Sequence, residues 1–295
     1  MSQPPSPLLL DVLQYARIVE SREVLSAEPI SARRGAEVWK VALRDNRVLR
    51  AKLAVRTGDS VAPSTESLHR EYTVLSELES LTCVFQPQFG VLPRTEEPVS
   101  FLFTDWVDGR PATEPLKAAH SGRLSVDEGT NTVRALFACL GALHSAGWVH
   151  GDLQPAHLLC QENGEILLID FGLAQSTQRP MENFRGGLVH FNAPEICSAM
   201  LADRLAQATP QSDVFSLASV VFHALTGKVI GDYSQEQEWE EILTCLAEGK
   251  LRTAELATAL ENNPALCAVL MQCLALEPAE RPADANAVLS LLPEL

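Results

Sequence analysis

His150-Gly151-Asp152-Leu153-Gln154-Pro155-Ala156-His157, followed by Ile166-Leu167-Leu168-Ile169-Asp170-Phe171-Gly172, places two carboxylates eighteen residues apart around a hairpin. Asp152 sits in a loop after a helical run, where it could receive a hydroxyl proton. Asp170 follows Ile166–Ile169, an apolar run that reads as a buried strand and would hold a metal ligand still. Gly172 lets the chain turn away directly afterwards. Either aspartate alone would be an ordinary cap or turn residue; the pair in this frame suits phosphoryl transfer, which needs a proton acceptor and a metal-held phosphate.

Working outward, Ala193-Pro194-Glu195, Ser212-Asp213-Val214-Phe215-Ser216 and Glu280-Arg281-Pro282 occur in order behind that stretch. Together these segments resemble the signatures of the protein kinase-like superfamily, and the resemblance spans nearly the whole chain. It implies an α+β, two-lobed fold: a small antiparallel-sheet lobe with one main helix, over 26–107, and a larger, mostly helical lobe over 108–295. Residues 1–25 form an extension that is expected to be helical, with Leu8–Ser21 apolar at helical spacing. The resemblance also implies a buried ion pair of Glu195 with Arg281, because each charge would be costly without the other.

In the small lobe, short alternating runs from Ala27 to Val55 with a turn at Arg44-Asp45-Asn46-Arg47 predict an antiparallel hairpin, with Val38, Val41 and Leu43 on one face. A third strand ends in Lys52, which matches the lysine that contacts the nucleotide's phosphates in the family. Its partner is expected on the next helix, where Leu68, Tyr72, Leu75 and Leu78 make an apolar stripe and Glu71 lies beside it; Glu66 and Glu77 compete. Phe101-Leu102-Phe103-Thr104-Asp105-Trp106-Val107 resembles the hinge that holds adenine, with Asp105 and Val107 supplying backbone groups and Thr104 behind them. The cofactor-binding set the resemblance implies is Lys52, Glu71, Gly35, Val38, Ala51, Asp105 and Val107, the cofactors ATP with Mg²⁺ or Mn²⁺, and the catalytic set Asp152, Lys52 and Asp170. Asp170 and His157 would hold the metal.

Departures from the family pattern gather around the phosphates. The phosphate-covering loop, Ser31–Val38, has a single glycine, Gly35, beside Arg33 and Arg34. His157 stands where the family has a metal-binding asparagine; imidazole binds Mg²⁺ poorly and suits softer ions better. Gln154 and Leu188 replace a lysine and a threonine that steady the aspartate and the transferred phosphate. Gly151 replaces an arginine that docks a phosphorylated segment, so Ser176 and Thr177 need not be switches.

In the large lobe, Val133, Leu136, Phe137, Leu140 and Leu143 make one helical stripe, and Val214, Leu217, Val220, Val221 and Leu225 another. His144 and His223 read as core residues, and His150 as a packing partner of Phe171. The chain has 295 residues, 46% of them hydrophobic, enough for a sizeable core. Seven cysteines without a CxxC pair suggest buried thiols rather than zinc or disulfides. A net charge of −15 argues against nucleic acid and could favour a basic peptide substrate. No long apolar run or secretory signal is read, so no membrane partner and a cytoplasmic location are expected. The leading expectation is ATP-dependent phosphorylation of serine or threonine hydroxyls in a protein or peptide. The alternatives are a pseudokinase that binds nucleotide or acts as a scaffold, and a phosphotransferase for a small molecule.

Overall fold

The computed structural model describes residues 6–18, 24–33, 36–55, 63–78, 87–93, 98–178, 184, 186–234 and 237–293. It divides into two compact units, Met1–Asp108 and Gly109–Leu295. The first unit begins with α1 (Pro7–Tyr15), started by Ser6, whose side chain accepts from the amide of Leu9. Helical spacing runs on to Ser21, but the helix stops at Tyr15: Arg17 takes a left-handed φ of 54°. A five-stranded antiparallel sheet follows, built from β1 (Val24–Arg33), β2 (Ala36–Leu43), β3 (Val48–Val55), β4 (Gln88–Leu92) and β5 (Val99–Asp105) in the order β1-β2-β3-β5-β4, with α2 (Pro63–Glu77) between β3 and β4 in the chain. The turn from β2 to β3 falls on Arg44–Arg47: the Arg47 amide donates to the Asp45 carboxylate (3.1 Å), and Asn46 adopts φ 69°, which asparagine tolerates.

The two faces of the sheet have different partners. On one face Leu9, Val12 and Leu13 of α1 form a cluster with Trp39, Val41, Leu43, Leu49, Ala51, Leu53, Phe101 and Phe103. On the other, Leu68 of α2 packs with Ala54 and Leu102, flanked by Tyr72 and Phe89. Strand periodicity of two corrects the expected grouping of Val38 with Val41 and Leu43. Trp39 shares the face of Val41 and Leu43, whereas Val38 lies on the opposite face, directly across from Lys52 of β3. The same alternation corrects Ala51: it is fully buried on the α1 side, away from Lys52, and cannot line a cofactor site with it.

The second unit is mostly helical. Short strands β6 (Arg110–Pro111), β8 (Leu158–Cys160) and β9 (Ile166–Leu168) form one sheet, and β7 (Trp148–Val149) pairs with β10 (Gln175–Ser176). Between β6 and β7 runs α3 (Val126–Ser145), capped by Ser125, with Val133, Leu136, Phe137, Leu140 and Leu143 inside. After β10 come α4 (Pro194–Leu201), α5 (Pro210–Thr226), α6 (Trp239–Ala247), α7 (Thr253–Ala259), α8 (Pro264–Cys273) and α9 (Ala285–Leu291). A reciprocal capping box of Thr209 and Ser212 fixes the start of α5, and Gly227 in a left-handed conformation ends it. Its core positions Val214, Phe215, Leu217, Val220 and Val221 are fully buried, so its first turn is held rigidly, and that turn carries Asp213. Among the described residues no helix is long and apolar enough to cross a membrane.

Candidate active site

In the first unit, Lys52 Nζ donates to Glu71 Oε2 at 2.6 Å, and Arg50 Nη1 donates to Glu71 Oε1 at 2.8 Å. Glu71 is 1% exposed and Lys52 7%. A carboxylate so deeply buried is stable only with both its oxygens charged-paired, and β3 supplies the two cations from positions two apart on one strand face. Sequence reasoning found Lys52 and Glu71 but missed Arg50, although its i−2 spacing from Lys52 was the available signal. At the end of β5, Thr104 is buried and donates its hydroxyl to the carbonyl of Asp105 (3.3 Å). Asp105 and Val107 are half-buried, while the amide of Trp106, between them, donates to Val48 O at 2.9 Å. Gly35, expected to approach phosphate, lies outside the described residues.

In the second unit, the loop between β7 and β8 and the second residue after β9 bring Asp152, His157 and Asp170 together. His157 Nδ1 lies 3.8 Å from Asp152 Oδ2, and His157 Nε2 lies 3.7 Å from Asp170 Oδ2. The imidazole is anchored by a 2.8 Å hydrogen bond between Nδ1 and the carbonyl oxygen of Asp152. Asp170 takes a left-handed conformation (φ 69°, ψ 69°), one that aspartate tolerates among non-glycine residues. Asp152 Oδ1 accepts the amide of Leu188 at 2.7 Å, and its Oδ2 accepts Gln154 Nε2 at 3.3 Å. A methyl group on Gly187 would lie 2.3 Å from Asp152 Oδ1, so only glycine lets this segment lie against the carboxylate.

The loop is fastened from below by Asp213. Its Oδ2 accepts the amide of His150 (2.6 Å) and its Oδ1 the amide of Gly151 (3.0 Å), while His144 Nε2 lies 3.2 Å from Oδ2. The other nitrogen of His144, Nδ1, accepts the amide of Ala285, which makes His144 the Nε2–H donor to Asp213. Gly151 has φ 76°, and a side chain there would meet Leu173 O at 2.7 Å, a local reason for glycine in place of arginine. His150 packs on Phe171, ring centroids 5.3 Å apart, and burial pushes its pKa down. Its Nε2 donates to Ile169 O (3.2 Å) and its Nδ1 accepts the amide of Asp152 (3.3 Å), so the neutral ring ties the two aspartate-bearing segments together.

Farther out, Arg281 makes a two-pronged pair with Glu195, both bonds 2.8 Å, and also donates to the carbonyls of Ala275, Leu276 and Gln211. The guanidinium lies over the ring of Phe215, 4.9 Å from its centroid. A sequence model of the protein kinase domain matches residues 35–291.

The chain belongs to the protein kinase domain family.

Three curated relatives illustrate the match. The chain is 27% identical over 136 residues to the probable serine/threonine-protein kinase PknB of Lactococcus lactis, covering 45% of this chain and 20% of that protein. It is 28% identical over 168 residues to sperm motility kinase 2B of Mus musculus, covering 56% of this chain and 33% of that protein. It is 32% identical over 132 residues to serine/threonine-protein kinase PknA of Mycobacterium tuberculosis, covering 44% of this chain and 29% of that protein. The aligned part thus spans a third or less of each of these kinases. Within the kinase-domain match fall Lys52, Glu71, Asp152, His157, Asp170, Glu195, Asp213 and Arg281, whereas α1 precedes it. The contact of Asp152 with the Leu188 amide had no side-chain signal in the sequence, because the donor is backbone.

Proposed function

We propose that this kinase domain transfers the γ-phosphoryl group of ATP to a serine or threonine hydroxyl of a protein or peptide. The observation that carries the reading is the placement of His157 between two carboxylates, its Nδ1 3.8 Å from Asp152 Oδ2 and its Nε2 3.7 Å from Asp170 Oδ2. Asp152 serves as proton acceptor. With Oδ1 held by the Leu188 amide, Oδ2 is the oxygen that takes the hydroxyl proton as the oxygen attacks phosphorus. Gln154 orients that carboxylate in place of a lysine, by a hydrogen bond from its neutral side-chain amide. Lys52, kept in place by Glu71, neutralises phosphate oxygens.

Asp170 Oδ2 would hold a divalent ion, Mg²⁺ or Mn²⁺, with His157 Nε2 beside it, and when bound the ion would offset the charge that builds on the phosphates. The net charge of −15 favours a basic acceptor peptide, and the six described cysteines, all free thiols, suit a reducing, cytoplasmic setting.

One observation favours a second reading as a nucleotide-binding pseudokinase: Gly187 and Leu188 lie against Asp152, where an acceptor hydroxyl would have to come. Transfer of labelled phosphate from ATP to a basic peptide, compared with Asp152→Ala, separates the two. Loss of transfer in the variant supports the kinase; nucleotide binding with no transfer by the native chain supports the pseudokinase.

A further inference from the structure

His157 is anchored by its own loop in a way that fixes which nitrogen carries hydrogen. A carbonyl oxygen can only accept, so the 2.8 Å contact of His157 Nδ1 with Asp152 O requires Nδ1–H. In the neutral ring Nε2 then bears the lone pair, and it is Nε2 that faces Asp170 Oδ2, 3.7 Å away. That separation exceeds a hydrogen bond. Two such donors on one ion, with bonds of roughly 2.1 Å at right-angled to tetrahedral geometry, would stand roughly 3.0–3.4 Å apart. A few tenths of an ångström of side-chain movement closes the difference. An N–H···O=C bond on the far nitrogen is also how ligating histidines are commonly oriented.

From this geometry we infer that His157 Nε2 and Asp170 Oδ2 form a mixed nitrogen–oxygen pair that selects a first-row transition ion such as Mn²⁺ over Mg²⁺. The inference rests on the phosphotransfer reading and deepens it. Mg²⁺ holds oxygen ligands and gives up water reluctantly, whereas imidazole binds transition ions more readily. The other imidazole nearby, His150, is excluded as a ligand because its Nε2–H donates to Ile169 O and its Nδ1 accepts the amide of Asp152. The alternative is an imidazolium that bridges Asp152 and Asp170 electrostatically and takes the metal's place.

Pulsed EPR of the protein with Mn²⁺ and tripolyphosphate tests this, because tripolyphosphate supplies phosphate oxygens and no nitrogen. The expected result is a ¹⁴N coupling from directly bound imidazole that disappears in His157→Asn, with the preference for Mn²⁺ over Mg²⁺ falling at least about tenfold by titration. Bound Mn²⁺ without ¹⁴N coupling, or an unchanged Mn²⁺/Mg²⁺ ratio in His157→Asn, overturns the inference while leaving the kinase reading standing. Failure of Mn²⁺ to bind overturns it too. Asp170→Asn makes the failures distinguishable: Mg²⁺ and Mn²⁺ binding that are both indifferent to Asp170 would count against the phosphotransfer reading itself.

Discussion

Replacing Glu195 with alanine isolates the ion pair that ties α4 to the segment before α9. The Arg281 side chain is 0% exposed and that of Glu195 29%, so the variant leaves a wholly buried guanidinium without its carboxylate. Breaking a buried pair on one side costs roughly 3–5 kcal/mol. Here the arginine keeps three carbonyl acceptors, Ala275 at 2.8 Å, Leu276 at 2.8 Å and Gln211 at 3.2 Å, and water can reach the part of Glu195's space that is already exposed. The expected loss is therefore nearer ~2–3 kcal/mol. For a unit of this size each kcal/mol moves the midpoint by roughly 2–4 °C, giving a drop of roughly 4–12 °C in thermal unfolding followed by circular dichroism. Arg281→Met should cost more than Glu195→Ala, because it strands those three carbonyls, and the double variant should cost less than the sum by about 1–3 kcal/mol. An unchanged midpoint in Glu195→Ala, or strictly additive losses, would refute the reasoning.

Further expectations concern single contacts. Gly187→Ala forces a methyl group to within 2.3 Å of Asp152 Oδ1, so the Leu188 amide must leave the carboxylate; phosphate transfer should fall while the melting temperature changes little, and equal transfer rates would sink the idea. Glu71→Gln keeps the shape of the Lys52 site but removes the charge shared by Lys52 and Arg50, and should weaken ATP binding by about tenfold or more in titration calorimetry. Burial pushes the thiols of Cys197 and Cys273 up to about 12 and that of Cys139 up to about 11. These groups stay protonated when folded but ionise from about pH 8.5 when unfolded, so the unfolded chain binds fewer protons and stability falls as pH climbs from there through 11. Denaturant midpoints at pH 8 and 10 should show that decline, and Cys→Ala changes at the three positions should flatten it.

Much of the site could be read from residue types because the chemistry demands them. Asp170 after an apolar strand, Glu71 beside an apolar helical stripe and the matched charges of Glu195 and Arg281 each carry a side-chain signal, and each charged pair meets its partner in the structure. What the sequence hid is of three kinds. Backbone donors leave no trace in side-chain pattern, so the Leu188 amide on Asp152 and the Trp106 amide on Val48 were illegible. Strand faces were misjudged where periodicity was not counted strictly: Val38 and Ala51 fall on opposite faces, Val38 with Lys52 and Ala51 in the α1 core. Helix ends set by a single left-handed residue, as at Arg17, escape a reading based on apolar spacing, which ran α1 past its true end at Tyr15.

The most direct test of phosphoryl transfer is a radiolabelled ATP assay on the native chain, Asp152→Ala and Asp170→Asn, each checked for an unchanged fold by circular dichroism, with Mg²⁺ and Mn²⁺ in parallel. Transfer by the native chain that both variants lose is the predicted result; transfer that survives in either variant, or none from a native chain that binds ATP, would contradict it.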